Sequence, residues 1–299
     1  MSRILVSGLI NTETTVRVRQ FPINYYPIDY PFFGVQSAVS GVGYNIALAL
    51  TALGDQVRLC SMIGSDYPAE FIRHELGNAG IDTQNLKRKL PETPASAVLY
   101  DETGKRQIYC DLKDIQETSY DFSESVLDDV DIVVACNINF NRELLDLAKA
   151  KGKLIATDVH VLSNIWDDYN RDFLNAADIL FLSDEGIGDD YQGFLWALAG
   201  HYPADIIVLG RGGKGAAMYL RSENRIVEMC SVRVGPVVNT VGAGDALFSS
   251  FLHYYAKGFS PADALHRAQI FASAKIGTSG ASKGFVNEQT VEQLCLHFR

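Results

Sequence analysis

The chain is short of several things, and each shortage removes a class of function. Positive charge is in deficit: 26 Lys and Arg stand against 36 Asp and Glu, a formal net charge of −10. The basic residues are scattered rather than gathered into a stripe, so nucleic acid is excluded as a partner and any bound phosphate must be held locally. Long hydrophobic runs are missing too. The stretch from Met1 to Val16 has only a short apolar run, too short for a signal h-region or a membrane span, so the chain reads as cytoplasmic with no membrane partner. The five cysteines (Cys60, Cys110, Cys136, Cys230, Cys295) lie far apart, with no Cys-x-x-Cys pair and no Cys/His ligand spacing, which argues against structural zinc. Cys60 and Cys136 fall in or at the end of apolar runs, where buried inert thiols are expected. The Walker-type phosphate loop, low-complexity linkers and internal repeats are absent as well.

What remains is ample material for a core: 299 residues, 47% apolar and 21% charged, which suits one large α/β domain spanning 1–299. Short apolar runs predict strands at Ile4 to Ser7, Val57 to Met62, Ile132 to Ala135, Leu154 to Thr157, Ile179 to Leu182 and Ile206 to Leu209. Helical patterns alternate with them at Tyr44 to Leu53, Pro68 to Ala79, Arg142 to Ala150 and Gly193 to Ala199, as in a three-layer α/β/α sandwich with a mainly parallel sheet. Two segments, about 12–39 and 95–114, break the rhythm. The first alternates and then turns aromatic and Pro-rich; the second reads as a hairpin turning at Asp101 to Gly104. Together they predict a small β lid. Near the C-terminus a hairpin is expected at Ala216 to Met229, then a helix from Ala246 and a second from Pro261 to Ile276, capped by Ser260.

The segment Asn239-Thr240-Val241-Gly242-Ala243-Gly244-Asp245 joins a strand-like run to the first of these helices. Small residues at 242 to 244 let the backbone approach a ligand, and the free N–H groups of the first turn make an anion site. Asp245, in that turn, could take the proton of an attacking hydroxyl, although an Asp there also serves simply as a partner of the helix dipole.

This segment is similar to the C-terminal signature of the ribokinase-like (PfkB-type) carbohydrate kinases, usually Asp-Thr-x-Gly-Ala-Gly-Asp. Ser40-Gly41-Val42-Gly43-Tyr44-Asn45-Ile46-Ala47 resembles the N-terminal signature Gly-Gly-x-x-x-Asn-x-Ala, and the two stand in the right order. The resemblance implies a ribokinase-like fold and an ATP-dependent kinase acting on a hydroxyl, primary by expectation, of a sugar or sugar-like acceptor. It implies Asp245 as base, Gly242, Ala243 and Gly244 as anion hole, and Gly41 and Asn45 on the acceptor. ATP would meet Thr240, Gly212 and Gly215, with Mg²⁺ as cofactor. A nucleoside kinase of the same fold and a non-catalytic ligand-binding relative stay open as alternatives, the former because Tyr25, Tyr26, Tyr30, Phe32 and Phe33 crowd the lid. The same rings suggest a homodimer through the lid.

The sequence also departs from that pattern. Glu13 stands where such kinases usually carry an acceptor-binding Asp, and Ser40 replaces the first signature glycine. Asn239 replaces an Asp associated in the family with a monovalent cation, which leaves potassium activation open. Ser183-Asp184-Glu185-Gly186 stands where Asn-x-x-Glu is frequent, so Asp184 or Glu185 would have to help organise the metal. Asp158 could face the triphosphate, and His160 is given no role. Gly210 to Gly215 satisfies the dinucleotide pattern Gly-x-Gly-x-x-Gly literally, but a β-hairpin rather than a helix is expected after it, so a dinucleotide site is rejected.

Overall fold

The computed structural model describes residues 2–278 and 280–298. In chain order the elements are β1 (Arg3–Ser7), β2 (Asn11–Arg17), β3 (Val35–Ser40), α1 (Val42–Leu53), β4 (Gln56–Ile63), α2 (Tyr67–Asn78), β5 (Leu86–Arg88), β6 (Ala95–Tyr100) and β7 (Arg106–Asp111). There follow β8 (Ile132–Ala135), α3 (Arg142–Ala150), β9 (Leu154–Val161), α4 (Arg171–Ala176), β10 (Ile179–Ser183), α5 (Tyr191–His201), β11 (Ile206–Gly210), β12 (Ala216–Leu220), β13 (Arg225–Met229), α6 (Ala243–Ala256), α7 (Pro261–Lys275) and α8 (Glu288–Cys295).

A nine-stranded sheet runs in the order β13-β12-β11-β10-β9-β8-β1-β4-β5. It is parallel from β11 to β5, and β12 and β13 close one edge as an antiparallel hairpin. Successive strand residues point to opposite faces, so each strand feeds two cores. Ile4 and Val6 enter a cluster with residues of α1, α2, α6, α7 and α8, such as Ile46, Ile72, Phe251, Phe271 and Val291. Leu5, between them, enters the opposite cluster with Leu144 of α3, Phe173 of α4 and Leu195 of α5. These are the three expected layers. A second sheet of four strands, order β3-β2-β6-β7, stands apart from the first. Among the described residues no helix is long and apolar enough to cross a membrane.

Every strand and helix expected from periodicity is present, with ends moved by no more than four residues. The largest extension is β9, which runs on to Val161 through Asp158 and His160, residues whose polarity hid the end of the strand. Three elements were not foreseen. β5 has three residues and α4 six, too few to show a period. α8 did carry a legible signal, since the Asn287 side chain caps it by accepting from Thr290 N–H at 2.9 Å. The Ser260 cap of α7 forms as expected, accepting from Asp263 N–H at 3.1 Å. The loop after β11 leads into the hairpin of β12 and β13, which a dinucleotide fingerprint does not permit.

One close approach fixes α1 against the sheet. A Cβ built on Gly43 would stand 2.8 Å from the Gly8 carbonyl carbon, and one on Gly8 would stand 2.4 Å from Cys136 Sγ. Backbone cannot yield as a flexible side chain does. Gly43→Ala is therefore expected to cost about 1–3 kcal/mol, the usual scale for overpacking, seen as a melting temperature lower by roughly 3–10 °C. An unchanged melting curve would refute this account of the contact.

Candidate active site

α1 and α6 start beside the carboxyl ends of the parallel strands. Gly41 precedes α1 with φ 107, and its Cβ would lie 2.5 Å from the Leu9 carbonyl oxygen, so only glycine fits. The loop before α6 is held by its own backbone. Val238 and Asn239 N–H donate to Ile276 O at 2.8 and 3.1 Å, and Asn239 Oδ1 accepts from Val241 N–H at 2.8 Å. Gly242 then takes φ 77, and the helix begins.

The first turn of α6 leaves amides free, as helix starts do. Ala243 N–H is not among them, for it donates back to Thr240 O at 3.2 Å. Gly242, Gly244 and Asp245 N–H find no acceptor among the described residues. The donor set is thus displaced from residues 242 to 244 toward the helix: Asp245 contributes an amide where Ala243 does not. Gly244 is exposed, so this positive end of the helix is open to an anion.

Asp245 is buried, and its Oδ2 accepts from Asn45 Nδ2 on α1 at 2.8 Å. Burial raises its pKa to about 6, opposed by the positive charge of His160, the Asn45 hydrogen bond and Lys275, while the negative charge of Asp158 adds to the rise. Such a carboxyl is ionised at neutral pH yet basic enough to accept a proton. Asn45 Oδ1 is buried with no partner, an acceptor to which an incoming hydroxyl could donate.

Asp158 lies across from this helix start. A Cβ on Gly244 would stand 4.0 Å from its Oδ2, and its Oδ1 accepts from His160 N–H at 2.8 Å. His160 adopts φ 60, rare for a residue with a side chain, which brings Nδ1 to 3.7 Å from Asp158 Oδ2. From its sequence context this histidine is assigned no role. The structure sets its charge among those acting on Asp245.

Glu13, on β2, is half-buried, and the Ser40 hydroxyl donates to its Oε2 at 3.2 Å. The serine that replaces a signature glycine thus ties β3 to β2. Burial raises the Glu13 pKa, opposed by Ser40 and by the charges of Lys275 and Arg106. Lys275, at the end of α7, escaped the sequence reading because a lysine in a last helical turn ordinarily faces solvent and the dipole. Here it is fully buried, and both Asp245 and Glu13 act on it.

Other expected site residues lie elsewhere along the strand ends. Asp184 is half-buried after β10, its N–H donating to Gly210 O at 3.0 Å, and Glu185 beside it is exposed. Among the described residues no three His, Cys, Asp or Glu side chains are grouped as a metal site. Thr240 is exposed. Gly215 has φ 100, and a Cβ there would fall 2.0 Å from Met229 O, so the packing of the hairpin alone demands that glycine. Gly212 has φ 51 with open space around it. The thiols of Cys60 and Cys136 are both buried, and burial pushes both pKa values up, that of Cys60 to about 11.

Residues 1–288 match the family described as pfkB family carbohydrate kinase. The chain is 23% identical over 270 residues to 2-dehydro-3-deoxygluconokinase of Bacillus subtilis (strain 168), covering 82% of this chain and 83% of that one. The structure of a microbiome-derived acarbose kinase superposes with a TM-score of 0.87 at 25% identity, covering 99% of each chain. Ribokinase of Arabidopsis thaliana, complexed with ribose and ATP, superposes with a TM-score of 0.83 at 19% identity over 98% of this chain and 99% of that one.

A buried carboxyl whose pKa is raised from 3.8 to about 6 opposes folding once it ionises. Its contribution to stability is intact below pH 4 and is lost as pH rises through 6. Asp245→Asn is expected to melt higher than wild type at pH 7.5, by an amount corresponding to about 1–3 kcal/mol, and to match it near pH 4. A variant less stable at both pH values would contradict this.

Proposed function

The chain belongs to the pfkB family of carbohydrate kinases, and from that premise we propose that Asp245 is the general base by which it transfers the γ-phosphoryl group of ATP to a hydroxyl of a sugar-like acceptor. One observation carries the proposal: a buried carboxylate stands in the first turn of a helix whose free amides face outward beside it. Phosphoryl transfer to an alcohol needs both parts, a site for charge on the group in flight and a base for the hydroxyl proton. Asn45 holds Oδ2 of Asp245 by one amide hydrogen and leaves Oδ1 for the acceptor, which orients the base and the hydroxyl together. Glu13, Ser40 and Gly41 form the acceptor side of the site, and Thr240, Gly212 and Gly215 the nucleotide side.

The four-stranded sheet is proposed as the lid. Glu13 lies on β2 and Ser40 ends β3, so closure of that sheet over the acceptor would bring a carboxylate to its hydroxyls while excluding the water that would otherwise consume ATP. Magnesium takes one or two carboxylates and otherwise water and phosphate oxygens. A site without three clustered ligands fits an ion that arrives on ATP, and Asp158, Asp184 and Glu185 are the carboxylates that would hold it. When bound, it supplies neutralisation of charge between the β and γ phosphates. Tyr25, Tyr30, Phe32 and Phe33, 88%, 70%, 76% and 97% exposed, stand away from any core. That exposure favours burial against a second copy of the lid over stacking on a nucleobase.

ADP release should be measured over 2-dehydro-3-deoxygluconate, ribose, fructose and inosine, with phosphorylated product identified by mass. A sugar or sugar acid is expected to turn over; a preference for inosine would move the assignment to nucleosides. With the selected acceptor, Asp245→Asn should lower kcat by about 10²–10⁴, the scale of a lost general base, with KM within about threefold. The wild-type acid limb should fall near pH 6 and move upward in Asn45→Leu, since the Asn45 hydrogen bond favours the ionised carboxyl. Retention of most turnover by Asp245→Asn would remove Asp245 from the mechanism. Sedimentation should give a dimer that Phe32→Asp with Phe33→Asp dissociates, and a monomeric wild type would end the dimer proposal.

A further inference from the structure

Among the described residues Lys275 is the one lysine or arginine that is buried, and it is fully so. A buried ammonium ordinarily meets a carboxylate, because leaving water is costly for a charge. This one does not. Its Nζ donates to two backbone carbonyls, that of Val241 and, at 2.9 Å, that of Gly280. The two carbonyls belong to different loops, one entering α6 and one following α7.

Those loops touch. A Cβ on Gly242 would stand 2.6 Å from Ala281 O, and Ser282 Oγ donates to Val39 O on β3 at 3.0 Å, so the second loop also reaches the lid. Coordination by main-chain carbonyls is how proteins hold a bare monovalent cation. An ammonium on a lysine stem meets the same dipoles with directed N–H donors and brings its charge without a binding equilibrium. Asn239, two residues before Val241, is neutral and spends its Oδ1 on Val241 N–H. A second, dissolved cation would therefore meet a positive charge that no carboxylate among the described residues contacts directly.

We propose that the Lys275 ammonium is a tethered internal cation which, through the Val241 and Gly280 carbonyls, fixes the loop that presents the Gly244 and Asp245 amides, so that the protein needs no dissolved potassium to order its anion site. Lys275 is a positioning residue in this account. Burial lowers its pKa to about 8, against the opposing charges of Asp245 and Glu13, so it stays charged at neutral pH. The proposal rests on the kinase reading only in naming what the loop presents, and its test uses no acceptor.

Wild type, Lys275→Ala and Lys275→Met would be compared in potassium and in choline at one ionic strength, by thermal melting and by calorimetric binding of MgATP. Wild type should give the same melting temperature and Kd in both salts. Lys275→Ala, which leaves room for an ion, should bind MgATP at least about tenfold more weakly in choline, a loss of about 1.4 kcal/mol. Potassium or methylammonium should restore that affinity and raise its melting temperature saturably. Lys275→Met, which fills the space with an apolar stem, should show the loss without the restoration. Wild-type affinity of either variant in choline, a loss in Lys275→Ala that no cation relieves, or a potassium requirement in wild type would each overturn the proposal. Lys275→Met decides the affinity question should Lys275→Ala not fold. If wild type itself fails to bind MgATP, the kinase reading falls, while the melting response of Lys275→Ala to potassium still decides the role of Lys275.

Discussion

Asn45 and Asp245 are 200 residues apart in the chain and share a hydrogen bond of 2.8 Å between two helices. The rest of the site is arranged around that contact. For the two side chains to meet, α1 must lie hard against the end of β1, which the missing Cβ atoms of Gly8 and Gly43 permit. α6 must also begin at a fixed point beside it, which Gly242 achieves by turning through a left-handed conformation that a side chain would resist. Move either helix by the width of a methyl group and the carboxylate loses its orienting donor.

The electrostatics follow from the same crowding. Asp245 is buried, and its pKa is carried upward by that burial; His160 and Lys275 restrain the rise, and Asp158 adds to it. The two negative groups and two positive ones come from three separate parts of the chain, β9, α6 and α7. Each alone is an ordinary charged side chain. Together they keep a carboxyl ionised at neutral pH while leaving it a usable base, at some expense in stability, a trade found widely where function needs a strained or desolvated group.

The small sheet and the large one are tied at their junction rather than across their faces. Glu13 and Ser40 meet at 3.2 Å at the root of the small sheet, and Ser282 reaches back to Val39 in β3. The loop after α7 is therefore in contact with the strand that leads into α1 and with the loop that leads into α6. Lys275 stands under both. A group at this crossing can couple the order of the loop entering α6 to the position of the small sheet, because the loop that offers Gly280 O to Lys275 also carries the Ser282 bond to Val39 O.

Much of this was legible in the sequence for a physical reason: strands buried on both faces are continuous apolar runs, and helix starts announce themselves with small and capping residues. Hence the alternating α/β order, the two hairpins, a helix start within a few residues of Asp245 and the Ser260 cap could all be read locally. The pattern Asn239 to Asp245 marked a helix start with small residues, but the fate of each amide could not be read, since whether Ala243 N–H points outward or back to Thr240 depends on local backbone rotation. Gly215 illustrates a different case: its motif suggested a ligand, and its close packing against Met229 O is by itself enough to require a glycine there. His160 and Lys275 were silent because a titratable side chain carries no mark of what will surround it. The chain determined by itself which segments become strands and helices, as local periodicity and capping are sufficient for that. Only the tertiary structure decided which charges face one another, since burial and distance arise when segments far apart in sequence are packed together.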